Sequence, residues 1–151
     1  MINQNNDSTI LTLNEQLLLD QISTLGNIGL EGTNKGRTRI ALSDDEKLGR
    51  NQIVSWMKEL DIDIKIDPIG NIFGTLNSNN QETQPLMMGS HIDTVKNAGA
   101  LDGCYGVLSG LAVIRAFKDA KLLPSRPITV VAFTNEEGVR YQPDMMGSLV
   151  Y

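Results

Sequence analysis

Apolar residues recur at helical spacing in two stretches of the N-terminal half. Residues 13–25 carry one apolar stripe and Gly26 follows as a stop signal, which predicts a first helix. Ser43 and Glu46 have the spacing of a capping box, so a second helix is predicted from about residue 44 to residue 60. Its apolar face is expected to consist of Leu48, Ile53, Trp56 and Leu60.

Shorter stretches have the pattern of strands and loops. Residues 62–66 alternate apolar and polar positions, residues 68–71 have turn composition, and residues 72–76 are apolar and β-branched, which predicts a hairpin. The glycine-rich residues 29–39 are predicted to form a mobile loop, and residues 78–84 a polar surface loop.

The second half of the chain has the order strand, helix, strand. An apolar run at residues 86–88 is followed by a helical pattern at residues 106–118 and a strong apolar run at residues 128–133. This order predicts a β-α-β unit with two parallel neighbouring strands and a right-handed crossover. The chain is therefore assigned to the α/β class.

Residues with metal-binding chemistry follow both predicted strands of this unit. His91 and Asp93 follow the first strand, and Glu136 and Glu137 follow the second. Asp102 lies on the loop that enters the helix. Because the carboxyl ends of neighbouring parallel strands meet at one edge of a sheet, we expect these side chains to converge. Imidazole and carboxylate groups suit zinc, manganese and similar divalent ions, so the sequence predicts a metallohydrolase.

Each of these residues also has a plain structural interpretation when taken alone. A single histidine is more often hydrogen-bonded than metal-bound, an Asp-Gly pair is a common turn, and a Glu-Glu-Gly sequence is a common solvated loop. Cys104 is open to two interpretations, a thiolate ligand or nucleophile and a small buried apolar residue. The second is favoured, because His91 is the only histidine and no other can activate the thiol.

Composition and charge limit the number of domains, the partners and the cellular location that the chain can have. A chain of 151 residues fits one domain with a substantial core. The net charge of -5, without a cluster of Lys or Arg, argues against nucleic acid as a partner. No apolar run approaches the roughly 20 residues that span a bilayer, and the polar residues 1–7 lack a secretory signal. Together with a single cysteine, these features predict a cytoplasmic protein.

Four motifs resemble those of N-carbamoyl-L-amino acid hydrolases and allantoate amidohydrolases, a group that includes β-ureidopropionases within the aminopeptidase-like dinuclear metallohydrolases. The motifs are GSHIDTV, AGALDG, TNEEGVRY and PDMMGS, in this order. The resemblance covers residues 36–151, because GRTRIALSDDEKLGR, VSWMKEL and DPIGNIFGTL also match. It implies that residues 1–151 are the N-terminal portion of an aminopeptidase-like catalytic domain, with a mixed, largely parallel sheet flanked by helices.

The resemblance implies a role for each candidate residue. His91 would be a terminal ligand of one metal ion, Asp102 would bridge two ions, and Glu137 would bind the second. Glu136 would be the general base, and Asp93 would hold His91 in place. The two ions are expected to be zinc or manganese, with cobalt or nickel as alternatives. The implied reaction is hydrolysis of an N-carbamoyl-L-amino acid to the amino acid, carbon dioxide and ammonia, with allantoate or another linear ureido acid as the alternative substrate.

The chain also departs from this family. Family members usually have Gly-Gly at Ala98-Gly99 and often an aromatic residue at Leu101, which bears on the loop carrying Asp102. They are much longer, with two further histidine ligands and a dimer-forming domain downstream. We therefore expect a fragment of an enzyme that is a homodimer at full length, arising from a truncated reading frame, a partial gene or a decayed copy. Alone, it is expected to bind metal weakly without turnover. The competing hypothesis is a noncatalytic binding or dimer-interfering domain.

Overall fold

The computed structural model describes residues 11–32, 36–80 and 83–151, and the polar start of the chain lies outside them. Helices and strands alternate along most of this length. In chain order the elements are α1 (Glu15–Gly26), β1 (Leu30–Glu31), β2 (Gly36–Arg37), α2 (Asp44–Glu59), β3 (Asp63–Ile66), β4 (Ile72–Leu76), β5 (Leu86–His91), α3 (Cys104–Asp119), β6 (Ile128–Phe133) and α4 (Met146–Leu149).

Strands β3 to β6 form one mixed sheet in the order β3-β4-β6-β5. The β3–β4 hairpin and the parallel β5–β6 pair, joined through α3, are both as predicted. The α/β class, with a mixed sheet flanked by helices, is confirmed. The parallel character is confined to β5–β6 in this part of the sheet, because β4 pairs antiparallel with both β3 and β6.

One hydrophobic core joins helices α1 to α3 to one face of the sheet. Alternate residues of β6, including Val130 and Ala132, point into it, as the period of a strand requires. Helix α3 packs closely on β6 at Gly110, where a Cβ atom would lie 2.8 Å from Val130. No helix in the described ranges is both long and apolar enough to cross a bilayer.

Helix α2 begins as predicted, but its apolar face differs. The Ser43 hydroxyl accepts the backbone N–H of Glu46 at 3.1 Å, which confirms the cap. Leu48 was wrongly assigned to the core and is 56% exposed, whereas Ile53 is fully buried. The reason is helical periodicity: Gly49, one turn before Ile53, occupies the inner stripe, and Leu48 lies beside it.

The prediction of a mobile loop at residues 29–39 is wrong for the residues that the structure describes there. β1 and β2 pair as a short antiparallel ribbon. Arg37 and Arg39 are both buried. They are satisfied by carbonyl oxygens of distant segments, including Gly26 and Ile92, and local sequence patterns do not report such contacts. Residues 33–35 lie outside the described part, as do residues 81–82 of the predicted surface loop.

Candidate functional site

The parallel β5–β6 pair brings the candidate residues to one edge of the sheet. His91 is the last residue of β5 and stands in register with Phe133, the last residue of β6. Glu136 and Glu137 follow shortly after Phe133. Asp102 directly precedes Gly103, the residue before helix α3. The three segments that the sequence assigned to one site therefore meet at this edge of the sheet.

The His91 imidazole faces two carboxylates. Its Nε2 lies 3.4 Å from Oε2 of Glu136 and 3.9 Å from Oδ1 of Asp102. The ring is buried, whereas the Asp102 side chain is 69% exposed. On the other side of the ring, Nδ1 lies 2.9 Å from the backbone carbonyl oxygen of Asp93. Because a carbonyl only accepts, Nδ1 is the donor in this contact, and Nε2 is the ring nitrogen that faces the acidic side chains.

Asp93 connects the two strand ends. Its two carboxylate oxygens accept the backbone N–H groups of Glu136 and Glu137, each at 3.2 Å. Its side chain contacts the His91 ring less closely, with Oδ1 3.7 Å from Nδ1. The structure thus places the backbone of Asp93 against His91 and its carboxylate against the segment that carries the two glutamates.

Glu137 is half-buried and carries an unsatisfied acceptor. Its Oε1 is buried and has no hydrogen-bond partner among the residues that the structure describes. Burial is the main effect that raises the pKa of the Glu137 carboxyl; the charge of His91 opposes it, and the charges of Asp102 and Glu136 add to it. This oxygen lacks a hydrogen-bond donor and lies close to other acidic groups, so a bound cation would stabilise it.

Gly103 leaves room for the His91 ring. Its φ of 62° is in the left-handed region, and a Cβ atom there would lie 2.5 Å from the Nε2 and Cδ2 atoms of His91. A side chain at this position would therefore displace the imidazole. The Asp-Gly pair thus forms a turn, as its composition indicates, and the turn seats the proposed ligand.

The donor set fits divalent metal in kind but is incomplete in number. Histidine nitrogen and carboxylate oxygen are the ligands that zinc and manganese accept. Catalytic zinc typically has three protein ligands. Within the described ranges, no three His, Cys, Asp or Glu side chains are grouped closely enough to hold an ion. Close approaches occur in pairs, His91 with Asp102 and His91 with Glu136, so these residues fit part of a coordination shell.

Cys104 lies beside this site but is buried in the protein. Its thiol is 2% exposed, and Sγ accepts a hydrogen bond of 3.0 Å from Nη2 of Arg39. Burial raises the pKa of the Cys104 thiol, although the positive charges of Arg39 and Arg37 oppose this. An inaccessible thiol that resists ionisation agrees with the structural interpretation of this residue.

Two buried asparagines that the sequence did not single out hold the glutamate segment. The Asn71 Oδ1 accepts the backbone N–H of Thr134 at 3.0 Å. The Asn135 side chain donates to the carbonyl oxygen of Tyr141 at 2.9 Å, across the loop that follows Glu136. Asn135 has a φ of 52°, which asparagine tolerates better than most residues. Their only sequence signal is their place inside the matching segments DPIGN and TNEEG.

Comparison with known proteins agrees with this fold. The family model described as Peptidase family M28 matches residues 71–149, which include every candidate site residue. The chain belongs to this family.

The chain is also similar to curated proteins with two different names. It is 35% identical over 138 residues to N-carbamoyl-L-amino-acid amidohydrolase of Pseudomonas sp. (strain NS671), covering 91% of this chain and 33% of the relative. It is 37% identical over 112 residues to allantoate deiminase 2 of Glycine max, covering 73% of this chain and 23% of the relative. The predicted resemblance is confirmed, and the chain spans about a third or less of these relatives' length.

A solved structure shows the same relationship. The hydantoinase/carbamoylase family amidase from Burkholderia ambifaria superimposes with a TM-score of 0.90 at 34% identity. The match covers 94% of this chain and 35% of that chain.

Proposed function

We propose that this chain supplies metal-binding and proton-transfer residues of an amidohydrolase that cleaves the carbamoyl C–N bond of N-carbamoyl-L-amino acids. The observation that carries the proposal is the position of His91, whose Nε2 faces Asp102 and Glu136 where two parallel strands end. The relatives named N-carbamoyl-L-amino-acid amidohydrolase support the choice of substrate.

His91, Asp102 and Glu137 would hold two divalent ions, with zinc or manganese the first candidates and cobalt or nickel the alternatives. Asp102 would serve both ions, because its carboxylate is exposed and, among the described residues, comes within ion-pair distance of His91 alone. Such ions would polarise the carbonyl of a urea or amide and would activate a water molecule for attack. Further ligands from outside this chain would complete the shell.

Glu136 would act as the general base. Its carboxylate is partly exposed, with a side-chain exposure of 35%, and its backbone is fixed through the Asp93 carboxylate. It would take a proton from the attacking water and transfer it to the departing nitrogen. The amino acid leaves with that proton, and the remaining carbamate gives carbon dioxide and ammonia.

Allantoate is the alternative substrate, supported by the similarity to proteins named allantoate deiminase. It shares a linear ureido group with N-carbamoyl amino acids. We further propose that residues 1–151 form the N-terminal portion of the catalytic domain, that the whole enzyme is a cytoplasmic homodimer, and that it binds neither nucleic acid nor membrane. A noncatalytic binding or dimer-interfering domain remains the second candidate, favoured by the incomplete donor set.

A chimera tests the proposed function. Residues 1–151 replace the matching segment of the Pseudomonas relative, and the purified protein, loaded with manganese or zinc, is assayed for release of ammonia from N-carbamoyl-L-amino acids and from allantoate. We expect turnover by the chimera, none by its Glu136→Gln variant, and none by the 151-residue chain alone. A folded, metal-loaded chimera without turnover would favour the noncatalytic alternative.

A further inference from the structure

We propose that Arg39 is a positioning residue, which fixes the segment carrying His91 relative to the segment carrying Asp102. The inference rests on the proposed function, because it concerns the geometry of that site. The Arg39 side chain is 0% exposed, although arginine is rarely buried without a paired carboxylate. Within the described ranges, no carboxylate lies at ion-pair distance from it.

One guanidinium group contacts both segments. Its Nε donates to the carbonyl oxygen of Ile92, the residue after His91, at 2.8 Å. Its Nη2 donates to Sγ of Cys104, which begins α3 shortly after Asp102, at 3.0 Å. Since these two nitrogens belong to one rigid plane, the Ile92 carbonyl and the Cys104 sulfur are held at a fixed separation.

The remaining contacts join Arg39 to the end of α1 and to Thr94, which lies in the segment that carries His91. Nη1 donates to the carbonyl oxygens of Leu25 and Ile28, at the end of α1, at 3.0 and 2.8 Å. The backbone N–H of Arg39 donates to Oγ1 of Thr94 at 2.8 Å, and the Thr94 N–H donates to the Arg39 carbonyl at 2.9 Å. Hydrogen bonds therefore hold both the guanidinium group and the backbone of Arg39 in place.

Stability alone does not account for a buried cation at this position. Removing a charge from water without a counterion is unfavourable, and neutral carbonyl and thiol acceptors compensate for it only in part. What arginine adds is the planar arrangement of several donors, which a lysine cannot reproduce. Helix α2 closes over the Arg39 stem at Gly49, where a Cβ atom would lie 3.0 Å from Cδ, so the side chain has little freedom to move.

Two substitutions of Arg39 and one control test this role. Arg39→Met keeps most of the apolar stem and removes all donors; Arg39→Lys keeps the charge with a single nitrogen. Leu76→Ala is the control, because Leu76 is buried in the same core but pairs with Ile128 at the opposite end of the sheet. For each variant of the 151-residue chain, urea unfolding gives the stability, calorimetry gives the zinc and manganese affinities, and hydrogen exchange reports on residues 91–94 and 102–104.

We expect Arg39→Met to weaken metal affinity at least tenfold, within the range known for groups that orient metal ligands, and Arg39→Lys to restore it only in part. Amides in both segments should exchange faster than in Leu76→Ala at a comparable loss of stability. Wild-type affinity and wild-type exchange in a folded Arg39→Met variant would overturn the proposal. If the wild-type chain binds neither metal, the chimera alone tests the proposed function, and the exchange difference alone decides the role of Arg39.

Discussion

The carboxylate of Asp93 accepts the backbone N–H of Glu136 at 3.2 Å, so the segment after β5 holds the segment after β6. The second oxygen of Asp93 binds the neighbouring N–H of Glu137 in the same way. A carboxylate that receives two backbone N–H groups is more rigidly placed than one paired with a flexible side chain. Asp93 therefore fixes the backbone from which the proposed base and one proposed ligand project.

Substitution of Asp93 should reduce stability in proportion to the acceptors removed. Asp93→Ala leaves two backbone N–H groups without an acceptor, and hydrogen bonds to charged groups contribute about 1.5–3 kcal/mol each. We expect a loss of about 3 kcal/mol or more in the free energy of unfolding. Asp93→Asn retains one acceptor oxygen and should lose about half as much. Urea titration measures both, and an unchanged midpoint and slope for Asp93→Ala would show that these bonds are not formed in solution.

Substitution of Asp102 should impair metal binding but leave stability nearly unchanged. Its side chain is 69% exposed, and its removal should change the free energy of unfolding by no more than about 0.5 kcal/mol. Metal binding should be lost, because the proposed bridging carboxylate would serve both ions. Metal affinity is measured by calorimetric titration of zinc and manganese, beside urea unfolding. Unchanged affinity in Asp102→Ala would remove this residue from the site.

Gly103→Ala tests the space that the turn leaves for His91. Alanine would have to adopt the left-handed backbone of Gly103, and its Cβ would lie 2.5 Å from the imidazole. We therefore expect the free energy of unfolding to fall by about 1–3 kcal/mol and metal binding to weaken. Gly99→Ala is the matched control in the same loop, because a Cβ there has no atom within 4 Å. Equal effects of the two substitutions on stability and calorimetric affinity would contradict this explanation.

The buried carboxyl of Glu46 should make the stability of the protein depend on pH. Burial is the largest effect and raises the pKa of this carboxyl; the nearby Asp93 adds to the rise, while Arg50 and the Leu42 N–H oppose it. The folded protein thus binds a proton at Glu46 more tightly than the unfolded chain does. This contribution to stability is fully present below the unfolded pKa, about 4.3, and is lost as the pH rises through the folded value.

Glu46→Gln removes this titration while keeping a side-chain oxygen that accepts hydrogen bonds. Its free energy of unfolding should therefore improve relative to wild type as the pH is raised from about 4 toward neutrality. Urea unfolding at a series of pH values measures the difference, with Glu59→Gln on the exposed side of the same helix as the control. A wild-type-to-variant difference that stays constant with pH would contradict the prediction.

The sequence predicts the β-α-β unit and the convergence of the site because these depend on local signals. Each strand is a short apolar run and the helix keeps its period. His91 ends β5, and Asp102 and Glu136 lie a few residues from the ends of α3 and β6. The burial of Arg39 depends on acceptors from three distant segments, and such contacts leave no periodic trace. The double acceptor role of Asp93 involves backbone N–H groups, which are the same for nearly every residue type.

The central claim is that His91, Asp102 and Glu137 bind divalent metal and leave Glu136 free for proton transfer. Calorimetric titration of zinc and manganese tests this claim most directly. The 151-residue chain is compared with His91→Ala and Glu136→Gln, each checked for folding by circular dichroism. We predict weak but measurable binding by the wild type, loss of binding in His91→Ala, and near wild-type binding in Glu136→Gln. Binding that survives in His91→Ala, or is lost only in Glu136→Gln, would contradict the assignment of these residues.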